Sequence, residues 1–325
     1  MHPIQLSKPS ITDEEVRASE RVLRSGWLVA GPECRAFEEE LAAALGKRHA
    51  AVVSSGTAAL HLALYALCPR GDAPLLIPAF TYPATGNVAG FVGTGMPVHL
   101  ADVDPQTFCV PAEVMAAWLA ARRGPAMVVH QFGYPAPLPD AAVAPHDLLI
   151  SDAACAIGNR AALGGRAACL SFHPRKILTT GEGGAVVSDD QALIEHIREV
   201  RAHGARAIPG REVLDFPAPG LNYRLPEVGA AVGRVQLRRL PELVEGHRER
   251  AARYRERLGG ILPMQADHPE RVWQTVAVVL PEGTDRPALR QRMCDEGIET
   301  QVASYGLHRL SAYCNAPIFG STGLP

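Results

Sequence analysis

Seven short apolar runs set the limits on what this chain can become: Ala51-Val-Val53, Leu75-Leu-Ile77, Val98-His-Leu100, Met127-Val-Val129, Leu148-Leu-Ile150, Cys169-Leu-Ser171 and Ala185-Val-Val187. Most are apolar without a break, Val98-His-Leu100 carrying one polar residue, so they read as strands covered on both faces rather than ones with a wet side. Helices or long loops separate them. That spacing predicts a mostly parallel seven-stranded sheet between helices, an α/β layer fold. At 325 residues, 47% of them hydrophobic, the chain has ample core for a large domain and a smaller one.

The helical segments carry their own punctuation. Thr12-Asp-Glu-Glu15 reads as a capping box opening a helix that stops near Gly26. A second helix follows Gly31-Pro32, with Phe37, Leu41 and Leu45 four residues apart and Gly46 as its stop. Further helical stretches cover 58–64, 190–203 and 226–258, the last rich in arginine and long enough to link two lobes. The remainder, with an apolar run at 272–280, a helix near 286–296 and Glu299-Thr-Gln-Val302, reads as a small α+β unit. Residues 1–240 are therefore expected to form the large domain, with its N-terminal helical arm, and 241–325 the small one.

Bulk properties remove several functions. A net charge of −2 without a basic block argues against a nucleic-acid surface. No stretch of about 18 apolar residues appears, and the first residues do not read as a secretion signal, so a cytoplasmic, non-membrane protein is expected. The seven cysteines are scattered, with no C-x-x-C pair, which disfavours a disulfide framework and a metal site.

Only three of the 32 basic residues are lysine, Lys8, Lys47 and Lys176. Arginine keeps its proton at working pH, whereas lysine becomes a nucleophilic amine once a site lowers its pKa, and then condenses with a carbonyl. Lys176 lies in Ser171-Phe-His-Pro-Arg-Lys176, with Gly181, Gly183 and Gly184 following, which let the backbone turn tightly beside a ligand. Lys8 and Lys47 read as surface lysines. The other candidates also fall just after strands, where ligands bind in open α/β sheets. Ser55, Gly56 and Thr57 precede a helix, and read either as an anion-binding turn or as an ordinary cap. Asp152 ends a strand and is followed by small residues, suiting a carboxylate that accepts from a protonated ring nitrogen or one that caps a helix. Tyr82, on a loop after a strand, reads equally as a stacking aromatic or a packed one.

The order of these features, anion turn, aromatic, strand-end aspartate and lysine in a Gly-rich turn, resembles fold-type-I enzymes dependent on pyridoxal 5′-phosphate (PLP). More narrowly the chain resembles the DegT/DnrJ/EryC1/StrS family of sugar aminotransferases. The resemblance is carried by Ser25-Gly-Trp-Leu28 with Gly31-Pro32, Ser54-Ser-Gly-Thr-Ala-Ala-Leu60, Pro78-Ala-Phe-Thr-Tyr82, Ala101-Asp-Val-Asp-Pro105, Asp152-Ala-Ala-Cys-Ala156, the lysine segment 171–184, Gly220-Leu-Asn-Tyr-Arg-Leu225 and Ala230–Leu237.

The resemblance implies that Lys176 holds PLP as a Schiff base and later shuttles a proton, that Asp152 pairs with the pyridinium nitrogen, and that Tyr82 stacks on the ring. Ser55, Gly56, Thr57 and Ser171 would hold the phosphate. Asn222 or Arg224 would reach the same phosphate from a second subunit, which makes a homodimer with shared active sites a requirement. Cys155 stands where the family usually has glutamine or histidine near the ring's 3-oxygen, and His173, taken with the cofactor-binding residues, is expected near substrate or else as a packed polar residue. Tyr305 and His308 are expected near substrate, each with the alternative of a packed polar residue.

An amino acid donor, glutamate or glutamine by analogy, would supply the amine for a keto-sugar, most often nucleotide-linked. Other PLP chemistry on a sugar or cyclitol, or a non-catalytic binding protein, are the rival readings. Two departures stand out. The connection from Gly158 to Cys169 is several residues shorter than in the family, and the chain stops at Pro325, implying a reduced small domain or a truncated chain.

Overall fold

The computed structural model describes residues 3–320 apart from 209 and 211. Its helices are α1 Asp13–Ser25, α2 Pro32–Leu45, α3 Gly56–Leu67, α4 Ala84–Asn87, α5 Ala112–Ala120, α6 Gln191–Val200, α7 Glu227–Arg238, α8 Leu240–Leu258 and α9 Arg286–Asp295. Its strands are β1 His49–Val53, β2 Leu75–Pro78, β3 Phe80–Thr81, β4 Val98–Ala101, β5 Ala126–Val129, β6 Leu149–Asp152, β7 Ala167–Ser171, β8 Gly184–Ser188, β9 Arg206–Ala207, β10 Leu214–Asp215, β11 Tyr305–Gly306 and β12 Ile318–Phe319.

All seven apolar runs lie in one sheet of order β1-β8-β7-β6-β5-β2-β4-β12. Only β8 runs antiparallel to its neighbours β1 and β7. The sheet has eight strands rather than the expected seven. The extra one, β12, pairs parallel with β4 through two residues, too few to leave a run in the sequence. Both faces are covered, as the largely apolar runs require. Leu60 and Leu64 of α3 and Ile194 and Ile197 of α6 meet Met127, Ile150 and Val186 on one face. On the other, Phe37 and Leu41 of α2 pack with Val52, Leu170 and Val187, while Met115, Trp118 and Leu119 of α5 pack on Val128 and Leu149. Burying each such side chain stabilises the fold by about 1.5–3 kcal/mol.

Local sequence explains the helix ends. Thr12 caps α1 and receives the Glu15 carboxylate on its own N–H at 2.7 Å, while Gly26 ends the helix at φ 71°. Gly31, before α2, has no side chain to offer the helix's free N–H groups. Glu227 of α7 supplies the acceptor instead, taking the N–H groups of Glu33 at 2.8 Å and Cys34 at 3.1 Å. The stretch expected as one helix over 226–258 divides at Arg239. Pro241, near the start of α8, has no N–H for the carbonyl four residues earlier.

The C-terminal part departs from the expected pattern. Neither 272–280 nor 299–302 forms a ladder. Val278 makes a single bridge to Met264, and Ile298 one to Ile4. The helix near 286–296 is present as α9. The chain then returns to the large domain, where β11 pairs with β3 in a separate two-stranded sheet and buried Tyr313 donates its hydroxyl to Asn87 Oδ1 at 2.5 Å. No helix among the described residues is long and apolar enough to cross a membrane.

Candidate active site

The register of the sheet assembles the anion turn. Ser171, at the end of β7, pairs with Gly184, and Gly184 pairs in turn with Val53 at the end of β1. The chain leaving β1 therefore crosses Gly184 at close range. A Cβ on Gly184 would lie 2.5 Å from the Ser55 carbonyl oxygen and 2.7 Å from the Gly56 nitrogen. A Cβ on Gly56 would lie 2.7 Å from Ser171 Cβ. Both glycines are required by that approach, and they bring Ser55, Gly56 and Ser171 into one cradle. The Ser55 hydroxyl accepts from the Ala58 N–H at 3.0 Å, so it caps α3 as an ordinary N-cap does. Thr57 is exposed at the mouth of the same turn.

Asp152 ends β6 with its carboxylate buried. One oxygen accepts from the Thr85 hydroxyl at 2.8 Å and the other from the Ala154 N–H at 3.2 Å. Burial pushes this carboxyl above its ordinary value, and the Thr85, Ala154 and Lys176 interactions only partly pull it back. The half-buried Lys176 amine lies 3.1 Å from Cys155 Sγ, on the turn just past Asp152. Burial works against the ammonium, but contact with Cys155 and the charge of Asp152 outweigh it, so, contrary to the lowering expected of a nucleophilic lysine, the amine without cofactor holds its proton more tightly than an ordinary lysine. Tyr82 also acts on this charge, and its ring is 67% exposed, 6.3 Å from that of Tyr305. The antiparallel pairing of Tyr305 with Thr81 brings those two rings together.

The remaining candidates sit differently. His173 Nδ1 accepts from the Arg175 N–H at 3.1 Å, and its Nε2 lies 3.8 Å from the Glu182 carboxylate, so the ring is engaged with its own loop. Asn222 is exposed and accepts from Arg224 Nε at 3.1 Å. Between them the Tyr223 carbonyl accepts from the Ser54 N–H at 2.8 Å, which runs this stretch alongside the anion turn of its own chain. His308 lies in the 3-10 turn after β11, and its Nδ1 is buried without a hydrogen-bond partner among the described residues.

Thr85 was absent from the sequence reading. It follows Thr81 by four residues and hydrogen-bonds it at 3.2 Å, but a threonine pair at that spacing is too common to mark a site.

The chain matches the model of the DegT/DnrJ/EryC1/StrS aminotransferase family over residues 9–321. Among solved structures it is similar to the sugar aminotransferase CalS13 from Micromonospora echinospora, with 29% identity and a TM-score of 0.83 over 99% of this chain and 90% of that one. It is also similar to the aminotransferase TlmJ from Streptoalloteichus hindustanus, with 30% identity and a TM-score of 0.82 over 95% of this chain and 87% of that one. GDP-4-keto-6-deoxymannose-3-dehydratase (ColD) with bound GDP-perosamine superposes with a TM-score of 0.87 over 99% of this chain and 92% of that one. Its 21% identity makes this a likeness of fold.

Proposed function

Because the chain belongs to the DegT/DnrJ/EryC1/StrS aminotransferase family, we propose that it moves an amino group from an amino acid, glutamate or glutamine, to a nucleotide-linked keto-sugar, with PLP held at Lys176. The observation that carries this reading is the convergence, at one sheet edge, of an amine in contact with Cys155, a buried carboxylate with a raised pKa, and a cradle only glycine fits.

The residues present fit PLP. A carboxylate pushed up by burial is stabilised in its charged form by a cationic neighbour, as a pyridinium nitrogen is. Asp152 would meet the ring nitrogen, Tyr82 the ring face, and Gly56, Thr57, Ser55 and Ser171 the phosphate, with Cys155 beside Lys176. When bound, PLP supplies an electron sink for the carbon that exchanges its amine. Lys176 Nζ holds and returns the proton that moves during that exchange. Lysine at 176, rather than histidine, favours amination over dehydration.

We also assign a cytoplasmic homodimer, in which Asn222 or Arg224 reaches the partner's phosphate. Exposed Trp27, Leu28 and Val29 on one side, and Val213, Leu214, Phe216 and Leu221 on the other, support a covered surface around that stretch. Sedimentation as a monomer would count against it.

The test is turnover. Incubation with PLP, glutamate and a panel of nucleotide-linked keto-sugars is expected to replace one sugar carbonyl oxygen by an amine, read by mass. Loss of water instead, or no product from protein that binds PLP, would overturn the assignment.

The cradle is tested by Gly56→Ala. The added methyl would sit 2.7 Å from a backbone-anchored Cβ, which no rotamer change relieves. Overpacking of about 1–3 kcal/mol, if it falls on the bound phosphate, corresponds to PLP affinity weakened about fivefold to 150-fold, measured by absorbance titration. Unchanged affinity would show that the cradle does not hold the phosphate.

A further inference from the structure

The loop that carries Lys176 is gripped by a side chain nearly a hundred residues downstream. Gln274 Oε1 accepts from the Ile177 N–H at 3.0 Å, and Gln274 Nε2 donates to the Arg175 carbonyl at 2.5 Å. Those are the main-chain polar groups on either side of Lys176. A primary amide carries an acceptor and a donor side by side, so it pairs with both as a neighbouring strand would. The Lys176 N–H is occupied as well, donating to the His173 carbonyl at 2.8 Å. Gln274 is itself well anchored. Val272, two residues before it, is buried and donates to the Gly133 carbonyl at 3.1 Å, and the Trp273 carbonyl lies 3.0 Å from His247 Nδ1. A second tie joins Arg175 Nη1 to Gln301 Oε1 at 2.6 Å.

We propose that Gln274 is a positioning residue for the Lys176 amine. By holding both flanking peptide groups it fixes the backbone torsions of Lys176, and with them the direction in which the side chain leaves the loop. A rotation of about 10° there, carried down a four-carbon stem, shifts the amine by about 1 Å, a misplacement that lowers rates by about a hundredfold. The inference rests on Lys176 being the Schiff-base lysine, and it adds that the reactive geometry is set from the C-terminal part of the chain.

The test compares Gln274→Ala with Gln274→Glu. The glutamate keeps the acceptor for Ile177 but has no donor for Arg175. With only three lysines in the chain, amine labelling followed by mass analysis reads Lys176 directly in the cofactor-free protein, with Lys8 and Lys47 as internal references. In Gln274→Ala the Lys176 labelling curve is expected to move to lower pH as the amine leaves Cys155. With PLP bound, kcat is expected to fall about a hundredfold, with KM for the keto-sugar within about twofold and the thermal midpoint unchanged. Gln274→Glu is expected between the two, and decides alone should the alanine variant be insoluble. An unchanged labelling curve and kcat would overturn the proposal. A wild-type protein that captures no PLP on Lys176 would overturn the functional reading instead, and the labelling comparison would still decide whether Gln274 places the amine.

Discussion

Lys176→Ala is expected to abolish amine transfer, a loss of at least about 10⁴-fold, because it removes both the group that bonds the cofactor and the group that moves the proton. No other amine can substitute. Lys47 is tied to Asp189 at 3.1 Å, and Lys8 lies in the N-terminal arm. The same variant has a stability signature. Lys176 is one of the groups that pull the Asp152 carboxyl down, so its loss raises that carboxyl further. A raised carboxyl favours the folded state only while protonated, and its penalty grows as pH climbs past the ordinary aspartate value of 3.8. The variant should therefore match wild type in thermal midpoint near pH 4 and fall below it near pH 8. Turnover within tenfold of wild type would end the Schiff-base assignment.

Asp152→Asn is expected to trade stability for activity in the opposite direction. An asparagine keeps an acceptor and adds a donor in the place held by Thr85 and Ala154, but has no charge to bury. In the cofactor-free protein the burial penalty disappears, so the melting midpoint should rise by about 1–3 °C at pH 8 and not at pH 4. Activity should fall by about 10³-fold or more, since a neutral amide does not hold a ring nitrogen in its protonated, electron-withdrawing form. Calorimetry at the two pH values and steady-state kinetics check both halves. A midpoint that drops at both pH values would mean that the carboxylate is a net structural asset rather than a functional burden.

Most strands were legible because they are covered on both faces and are therefore apolar throughout, as Ala51–Val53 and Met127–Val129 are, whereas β4 keeps His99 at a half-buried position. The ends of α1 and α2 were legible because capping chemistry is local: Thr12, Glu15, Gly26 and Gly46 act within a few residues of themselves. What was not legible depends on contacts across long stretches of chain. β12 exists only because β4 offers it an edge, and two residues carry no pattern of their own. Val272–Leu280 has the composition of a strand but finds no ladder partner beyond Met264. At the site, Lys176 and Asp152 stood out as the wrong residue types for their surroundings. Thr85 and Gln274 did not, because a threonine in a short helix and a glutamine within an apolar run gain meaning only from the atoms opposite them.

The partnership between the first two helices and α7 carries a consequence for synthesis. Glu227 caps the start of α2, Arg234 holds Glu33 and Glu40, and Gln236 and Arg239 hold Glu15. Every one of these partners emerges from the ribosome some 190 or more residues after the segment it secures. Residues 13–45 thus wait for these charged and polar partners until α7 has been translated, so their final seating comes late in folding.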